Sequence, residues 1–491
     1  MTTPTLLRDG PEVWSPAALA MRPRWQKCRD VRGGTEVMRA KASEYLPKFE
    51  AEDPRDWTAR VNLTFTYDAL ALTLDTLTGL AFTTEPELGE DVPARIALEW
   101  ENIDGEGTHG SIFALQLLDS ALQDGHDLIL TEFPPVEGAL TLAEEQARGI
   151  RAYLVRITID QIPSWRVMVY GGRRILGQIV IATKVEEPTG AFGMTMVPEY
   201  RVYRQQFTAA GVPFVEWERW RTNPNGTETA LVEGPTTLRG PQFIPIAPVF
   251  GGQRTGFLES LPPLVGLADS NIDHTQVKSD RRYSMHKCAI PIPIFINRDK
   301  GAQGTDQIIM SPSRGIDINT GGDAKILEPQ GTALEALRNE LLDIERRMAD
   351  QGVAMLQRDT ATPRTATEVE FSRTRQESKL ARAVRSLQDA LEASFQFMAD
   401  YYGLPDGGSI TIRRDFAALT LSDSDAAMLT ATRERGDLTL PTFLDFMRQR
   451  GGVFEKLNPK AEAEAVRREQ GAETMGLEEP PLVIPAGQQA A

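Results

Sequence analysis

Cysteine is nearly absent from this 491-residue chain: Cys28 and Cys288 are the two present, far apart in sequence. They form neither a metal-ligand spacing nor a redox pair, so they read as unpaired thiols in a reducing compartment. Histidine is scarce too, and His109, His126, His274 and His286 show no ligand spacing. No apolar run approaches the eighteen or so residues of a membrane span. Met1–Asp9 lack a basic segment followed by an apolar one, so no secretory signal is expected. Positive charge is in deficit, because 53 Lys and Arg against 69 Asp and Glu leave a net charge of −16. A protein that grips nucleic acid carries a basic balance or a dense basic face. Any DNA met by this chain is therefore loosely held or allowed to slide.

Signatures of chemistry are missing as well. Gly105-x-Gly107-x-x-Gly110 has the spacing of a dinucleotide fingerprint, but Leu98–Asp104 before it reads as an acidic helix, not a buried strand. The loop therefore reads as a cap for the next helix. Gly172–Gln178 and Gly251–Gly256 are glycine-punctuated, yet neither leads into the Lys-Ser/Thr pair of a phosphate-binding loop. Glu340, Asp343 and Glu345 fall on the polar side of a long helix, where a solvated face is the simpler reading. No nucleophile elbow is present. No cofactor, metal or enzymatic activity is expected.

What is present is a chain with enough apolar residues, 41%, for a substantial core. Its length favours two to four domains. Residues 1–54 carry short helical signals, including a modest helix over Thr35–Leu46. A stronger helix is expected from Asp56 to Leu80, with Val61, Phe65, Leu72 and Leu77 on its apolar face. Helices follow over Val92–Glu101 and from Ser111 to Gln123, then a buried strand over His126–Phe133. From Ile150 to Phe250 the pattern turns strand-like, with a hairpin of Tyr200–Phe207 and Phe214–Arg221 and an edge strand or extended connector at Phe243–Phe250. The fold class is α+β, an antiparallel twisted sheet packed on the earlier helices.

Leu261–Gly403 organises the rest: two long helices around a β-rich insert at Cys288–Gln330, then a third long helix. The second helix opens on the capping box Thr332–Glu335 and places Leu334, Leu337, Leu341, Ile344 and Met348 on one apolar stripe. A second capping box, Thr365–Glu368, opens the third helix, which runs to about Tyr402 with Leu380, Val384, Leu387, Leu391, Phe395 and Met398 on its apolar side. Ser409–Arg413 reads as a short strand, Ser422–Glu469 as three short helices, and Glu478–Ala491 as an extended tail. Two basic clusters stand against the acidic background: Lys278, Arg281, Arg282, His286 and Lys287, then Arg373, Arg375, Lys379, Arg382 and Arg385. Ion pairing with Glu-rich faces or neighbouring subunits is the plainer reading, and transient contact with DNA phosphates the functional one.

Several separated stretches together resemble the portal (head–tail connector) proteins of tailed double-stranded DNA bacteriophages, in the long-tailed branch. They are Thr76–Phe82; Trp100–Thr108 followed by Gly125–Leu130; Pro262–Leu264 with Leu267–Asp269, Asn271-Ile272, Ser279-Asp280 and Pro291; and Leu327–Pro329 with Arg364–Glu368. The resemblance implies a ring of usually twelve subunits at one capsid vertex, with double-stranded DNA passing through it. It implies the terminase large subunit, a head–tail adaptor and the major capsid protein as partners, and no membrane. Carried onto this chain, residues 1–260 correspond to a helical and β wing, 261–287 and 331–357 to two stem helices, and 288–330 to a small clip. Residues 358–403 correspond to a tunnel loop and a channel-facing long helix, and 404–491 to a helical crown and tail. Candidate DNA-channel residues are then Lys278, Arg281, Arg282, Lys287, Arg358, Asp359 and Arg364. Leu334, Leu337, Leu341, Ile344 and Met348 become an intersubunit or stem–stem seam. The glycine loop looks like a feature of the wing. Two other readings stand beside this one: another oligomeric minor head or scaffold protein, and a metal-dependent nuclease or hydrolase using carboxylates such as Asp343 or Asp415.

Overall fold

The computed structural model describes residues 10–134, 144, 147–223, 228–289, 292–296, 323–327, 332–355, 378–414 and 416, with 433, 435 and 462. The chain divides into two units, Met1–Ile412 and Arg413–Ala491, and every element below lies in the first.

The N-terminal part is helical. Helix α1 (Pro16–Arg32) starts on Ser15, whose hydroxyl accepts from Ala18 N, with Pro16 at the position where a missing N–H costs nothing. Short helices α2 (Gly34–Ala40) and α3 (Ala42–Tyr45) follow. The single helix expected over Asp56–Leu80 is two, α4 (Pro54–Leu63) and α5 (Ala69–Ala81). The break falls at Thr64. Thr64 turns extended at φ −78°, ψ 137°, and its hydroxyl bonds back to Arg60 O. The Arg39 guanidinium then takes the Thr64 carbonyl, which a continuous helix would have needed. Phe65, expected on a buried face, is left 47% exposed. After strand β1 (Glu87–Leu88), helix α6 (Ala94–Glu99) runs into a 3-10 turn at Trp100–Asn102. Helix α7 (Gly110–Asp124) leads into β2 (His126–Glu132). Arg29 of α1 bridges Asp124 and Asp160 at 2.6 and 2.7 Å, and Arg32 holds Asp119 at 2.6 Å, which ties α1 to α7.

The β region forms two sheets. Strand β2 pairs antiparallel with β3 (Tyr153–Ile157) on one side and β9 (Ile246–Phe250) on the other, so β9 is the edge strand its prolines suggested. Strands β4 (Ser164–Tyr170), β5 (Arg173–Thr189), β6 (Gly193–Phe207), β7 (Pro213–Thr222) and β8 (Thr229–Thr237) form an antiparallel meander in sequence order. The meander was expected to pack on the helices. Its inner face instead packs on the three-stranded sheet: Ile179, Ile181, Tyr203 and Val215 share one core with Leu128, Leu130, Ile157 and Ile246. The helices cover the other side of that small sheet. Two-residue strands β10 (Gln253–Arg254) and β11 (Ser260–Leu261) then pair and deliver the chain to the long helices.

Helices α8 (Val265–Ala289) and α9 (Thr332–Val353) flank the insert, in which β12 (Ile292–Ile296) pairs antiparallel with β13 (Asp323–Leu327). Helix α10 (Lys379–Tyr402) begins at Ser378, which is extended and caps Ala381 N; it was expected to run unbroken from Thr365, whose capping box lies outside the described residues. Gly403 closes it in the left-handed conformation at φ 66°. The buried face of α10 is the one its spacing predicts, Leu380 through Met398, and β9, β2, α7, α6 and α5 pack around it. Strand β14 (Ile410–Thr411) returns to pair with β1, so the strand expected at Ser409–Arg413 is built into the first unit.

One buried base lies in this core. His126 is 1% exposed, with Nδ1 2.7 Å from Ser260 Oγ. Burial, aided by the nearby Arg254 charge, lowers its pKa from 6.5 to about 4. Between those values the unfolded chain binds a proton that the folded chain refuses, so stability falls as pH drops through this window. The buried Asp127 carboxyl is shifted up and works in the opposite direction, so the His126 contribution is read as a difference. The stability of the parent chain minus that of His126→Gln is expected to decrease by roughly 3 kcal/mol from pH 6.5 to 4, followed by urea unfolding.

Candidate functional site

The stem candidate is the α8–α9 pair. At ~1.5 Å per residue, α8 is about 38 Å long and α9 about 33 Å. Helix α8 is the element α9 packs against, and Leu341, Ile344 and Met348 are buried, at 7%, 0% and 3% exposure. Leu334 and Leu337, nearer the insert, are half-buried. Two polar contacts cross the pair: His274 Nε2 to Glu345 at 3.2 Å and Arg347 to Asp273 at 3.8 Å. Burial holds the His274 imidazole below its ordinary pKa despite the Glu345 carboxylate.

The opposite side of α8 is buried and polar. Asn271, Thr275 and Ser279 repeat every four residues and are at most 1% exposed. Asn271 Oδ1 accepts from Leu70 N of α5, Ser279 Oγ accepts from the Thr64 hydroxyl, and Gln276 donates to Tyr45 O. Arg60 of α4 reaches both carboxylate oxygens of Glu52 at 2.8 and 2.9 Å and Asp280 of α8 at 3.5 Å. This polar face was missed from sequence, because a four-residue repeat of hydroxyls and amides reads equally well as a solvated side.

The basic cluster on α8 is divided by its surroundings. Lys278 is half-buried, and burial together with the Arg282 charge lowers its pKa. Arg281 is half-buried, with Nε shielded from solvent. Arg282 is exposed but engaged: it donates to Leu63 O at 2.9 Å and lies 4.8 Å from the Phe65 ring, which also carries Arg39 at 4.6 Å. Two guanidiniums thus clamp the turn between α4 and α5. Lys287 lies in the last turn of α8. Arg358, Asp359 and Arg364 lie outside the described residues, as do Arg373 and Arg375. Lys379 and Arg382 open α10 and line a cleft of about 650 Å³ beside Phe250–Arg254 and Leu261–Val265.

Nothing assembled among the described residues looks catalytic. No group of three or more His, Cys, Asp or Glu is placed there to hold a metal. Asp343 is exposed and paired with Arg346 at 3.1 Å, and Asp415 lies outside the described residues. No described helix is long and apolar enough to cross a membrane. The glycine loop follows a helix and a 3-10 turn, not a strand. Gly105 and Gly107 take positive φ of 84° and 99°, while a Cβ on Gly110 would fall 2.2 Å from the Trp100 ring. The glycines therefore serve a tight turn and an aromatic contact.

The buried Arg60–Glu52 pair and the exposed Arg282 contact should separate in stability. Arg60→Ala strands a buried carboxylate and is expected to cost about 3 kcal/mol in denaturant unfolding, part of which Glu52→Gln restores. Arg282→Ala is expected to cost about 1 kcal/mol or less, with faster amide exchange confined to the α4–α5 turn.

Comparison with known proteins gives limited likenesses. Residues 263–402, from the start of α8 to the end of α10, match a family described as "Domain of unknown function (DUF4055)". No curated protein matches the chain. Among solved structures, a chain of "Virion of native gene transfer agent (GTA) particle" is 14% identical over 79% of this chain and 91% of its own, at a TM-score of 0.39. A chain of "Neck of empty GTA particle computed with C6 symmetry" is 14% identical over 82% and 93%, at 0.38. A chain of "Neck of native GTA particle computed with C12 symmetry" is 12% identical over 76% and 88%, at 0.36. At these scores the likeness assigns no role.

Proposed function

We propose that this chain is the portal subunit of a tailed, phage-like particle, a structural component without enzymatic activity. In this reading copies assemble as a ring, of twelve by the family's habit, at one capsid vertex within the major capsid protein shell. The ring is the channel for genome packaging and ejection, and its clip docks the terminase motor and later the head–tail adaptor. The observation that carries the reading is the α8–α9 pair. Two helices of more than ~30 Å pack side by side and are joined through a small antiparallel β pair. One of them is rooted by buried polar contacts in a helical and β body. That pattern supports the reading of α8 and α9 as stem, the insert as clip and the body as wing.

The chain's acidity suits the role, because a tube of like charge lets phosphates slide. The lumen contacts fall in this reading to Arg358, Asp359 and Arg364 of the tunnel loop. Arg282 has a structural task at Leu63 and Phe65, so it is a poor probe of DNA contact.

Electron microscopy of the purified full-length chain tests the reading. The expected result is a closed ring with a central hole, with native mass spectrometry giving its copy number. A monomer at all concentrations tried, or a closed assembly with no axial opening, overturns it.

A further inference from the structure

The meander carries an arm. Strand β5 is paired with β4 only as far as Val180, and β6 is paired with β7 only from Glu199. From the Lys184–Pro198 pair to the Thr189–Gly193 pair, β5 and β6 have only each other. A two-stranded ribbon standing alone in water is marginally stable. This one also ends on an apolar knob: Phe192 at its tip is fully exposed, with Met194 and Met196 exposed behind it. Glu186, the cross-strand neighbour of Met196, is exposed and has no ion-pair partner among the described residues. An exposed apolar feature of this kind on a projecting element marks a contact with another molecule.

The same chain holds an open pocket that fits the knob. It lies between the meander, the end of the small sheet and the last turn of α10, with a volume of about 320 Å³. Phe133, Tyr153, Tyr203, Trp217 and Tyr401 line it. Most of its charged groups are paired within the wall. Glu132 accepts from the Tyr153 hydroxyl at 2.7 Å and pairs with Arg201, and Arg219 pairs with Glu233 at 2.7 Å. Aromatic faces remain for an occupant. A cavity of roughly 150 Å³ is enough to hold a benzene ring, so this one has room for Phe192 and part of a methionine. Arg239, also in the lining, is exposed and has no ion-pair partner among the described residues. Phe192 stands just before β6 and Arg201 of the pocket wall lies nine residues on, about 30 Å of extended chain. Within one subunit the knob does not reach the pocket.

We infer that the Phe192 knob of one copy seats in this aromatic pocket on the next, with Glu186 of the arm meeting Arg239 at the rim. The contact uses two different surfaces of one chain, so it is heterologous, the kind that closes a ring. It rests on the ring reading above and deepens it. The buried aromatic supplies most of the adhesion, and the charge pair fixes the direction of the arm. The ribbon gains from its neighbour the packing that a lone hairpin lacks.

Phe192→Ser in the full-length protein tests the contact, because a side chain wholly in water is removed at little cost to the subunit's own fold. The concentration needed for ring formation is expected to rise at least about tenfold, with the thermal unfolding midpoint of the dissociated subunit unchanged. Glu186→Arg and, separately, Arg239→Glu are each expected to raise it about fivefold or more. Combining those two substitutions in one chain is expected to restore assembly to near the parent level. Phe192→Ser rings that form at the parent concentration overturn the contact and leave the ring reading standing. If such rings then fail to join a capsid shell, the contact still falls and the arm serves another component of the particle. Charge variants that weaken assembly without mutual rescue overturn it as well. A parent chain that never associates removes the ring reading and the contact together.

Discussion

The burial of one face of α10 is the constraint on which the rest of the first unit depends. Leu380, Val384, Leu387, Leu391, Phe395 and Met398 are all 0% exposed. A fully buried side chain of this kind is worth roughly 1.5–3 kcal/mol over its exposed state. No single neighbour could bury six in a row. The edge strand β9, the central strand β2 and helices α5, α6 and α7 each cover a part, which gathers segments hundreds of residues apart in sequence around one rod. Polar pins set the rod's depth: Ser386 to the backbone of Phe250 near one end, and Tyr402 to Ala152 N and Glu99 at the other. With the small sheet held there, its outer face is free to share a second core with the five-stranded meander.

Helix α8 is held by a different kind of force. One side takes the apolar stripe of α9, while the other carries Asn271, Thr275 and Ser279 into the body. Buried hydroxyls and amides tolerate little sliding, because a one-residue shift would leave each without its partner. An apolar interface would have tolerated such slips. Directional contacts of this type fix the angle at which α8 leaves the body. The arginine clamp on Phe65 and the Arg60 contacts to Glu52 and Asp280 add to the same end.

The arginines have separate structural tasks in this unit. The chain is net acidic, and several of its arginines are placed against neighbouring elements. Arg29 and Arg32 tie α1 to α7, Arg282 holds a turn, and Arg254 builds the wall of a cleft. The structure therefore shows which cations hold elements of the subunit together, which counting Lys and Arg in the sequence cannot do.

Local order was legible in the sequence wherever apolar periodicity met a clear terminator. The faces of α9 and α10, the β6–β7 hairpin and the edge position of β9 all follow from spacing, proline and glycine, because these act over a few residues. Tertiary contacts decided the rest. Asp56–Leu80 became two helices because Arg39, distant in sequence, captured the Thr64 carbonyl. The polar side of α8 was invisible as a core face because burial of hydroxyls and amides carries no hydropathy signal and needs partners from α5 and from the Thr64 turn. The basic cleft could not be read at all, since Arg254 and Lys379 are brought together only when α10 docks on β9. Sequence by itself determined which segments are helix or strand and which faces are apolar. Only the packing decided which charges meet, because electrostatic partners are chosen by distance in space.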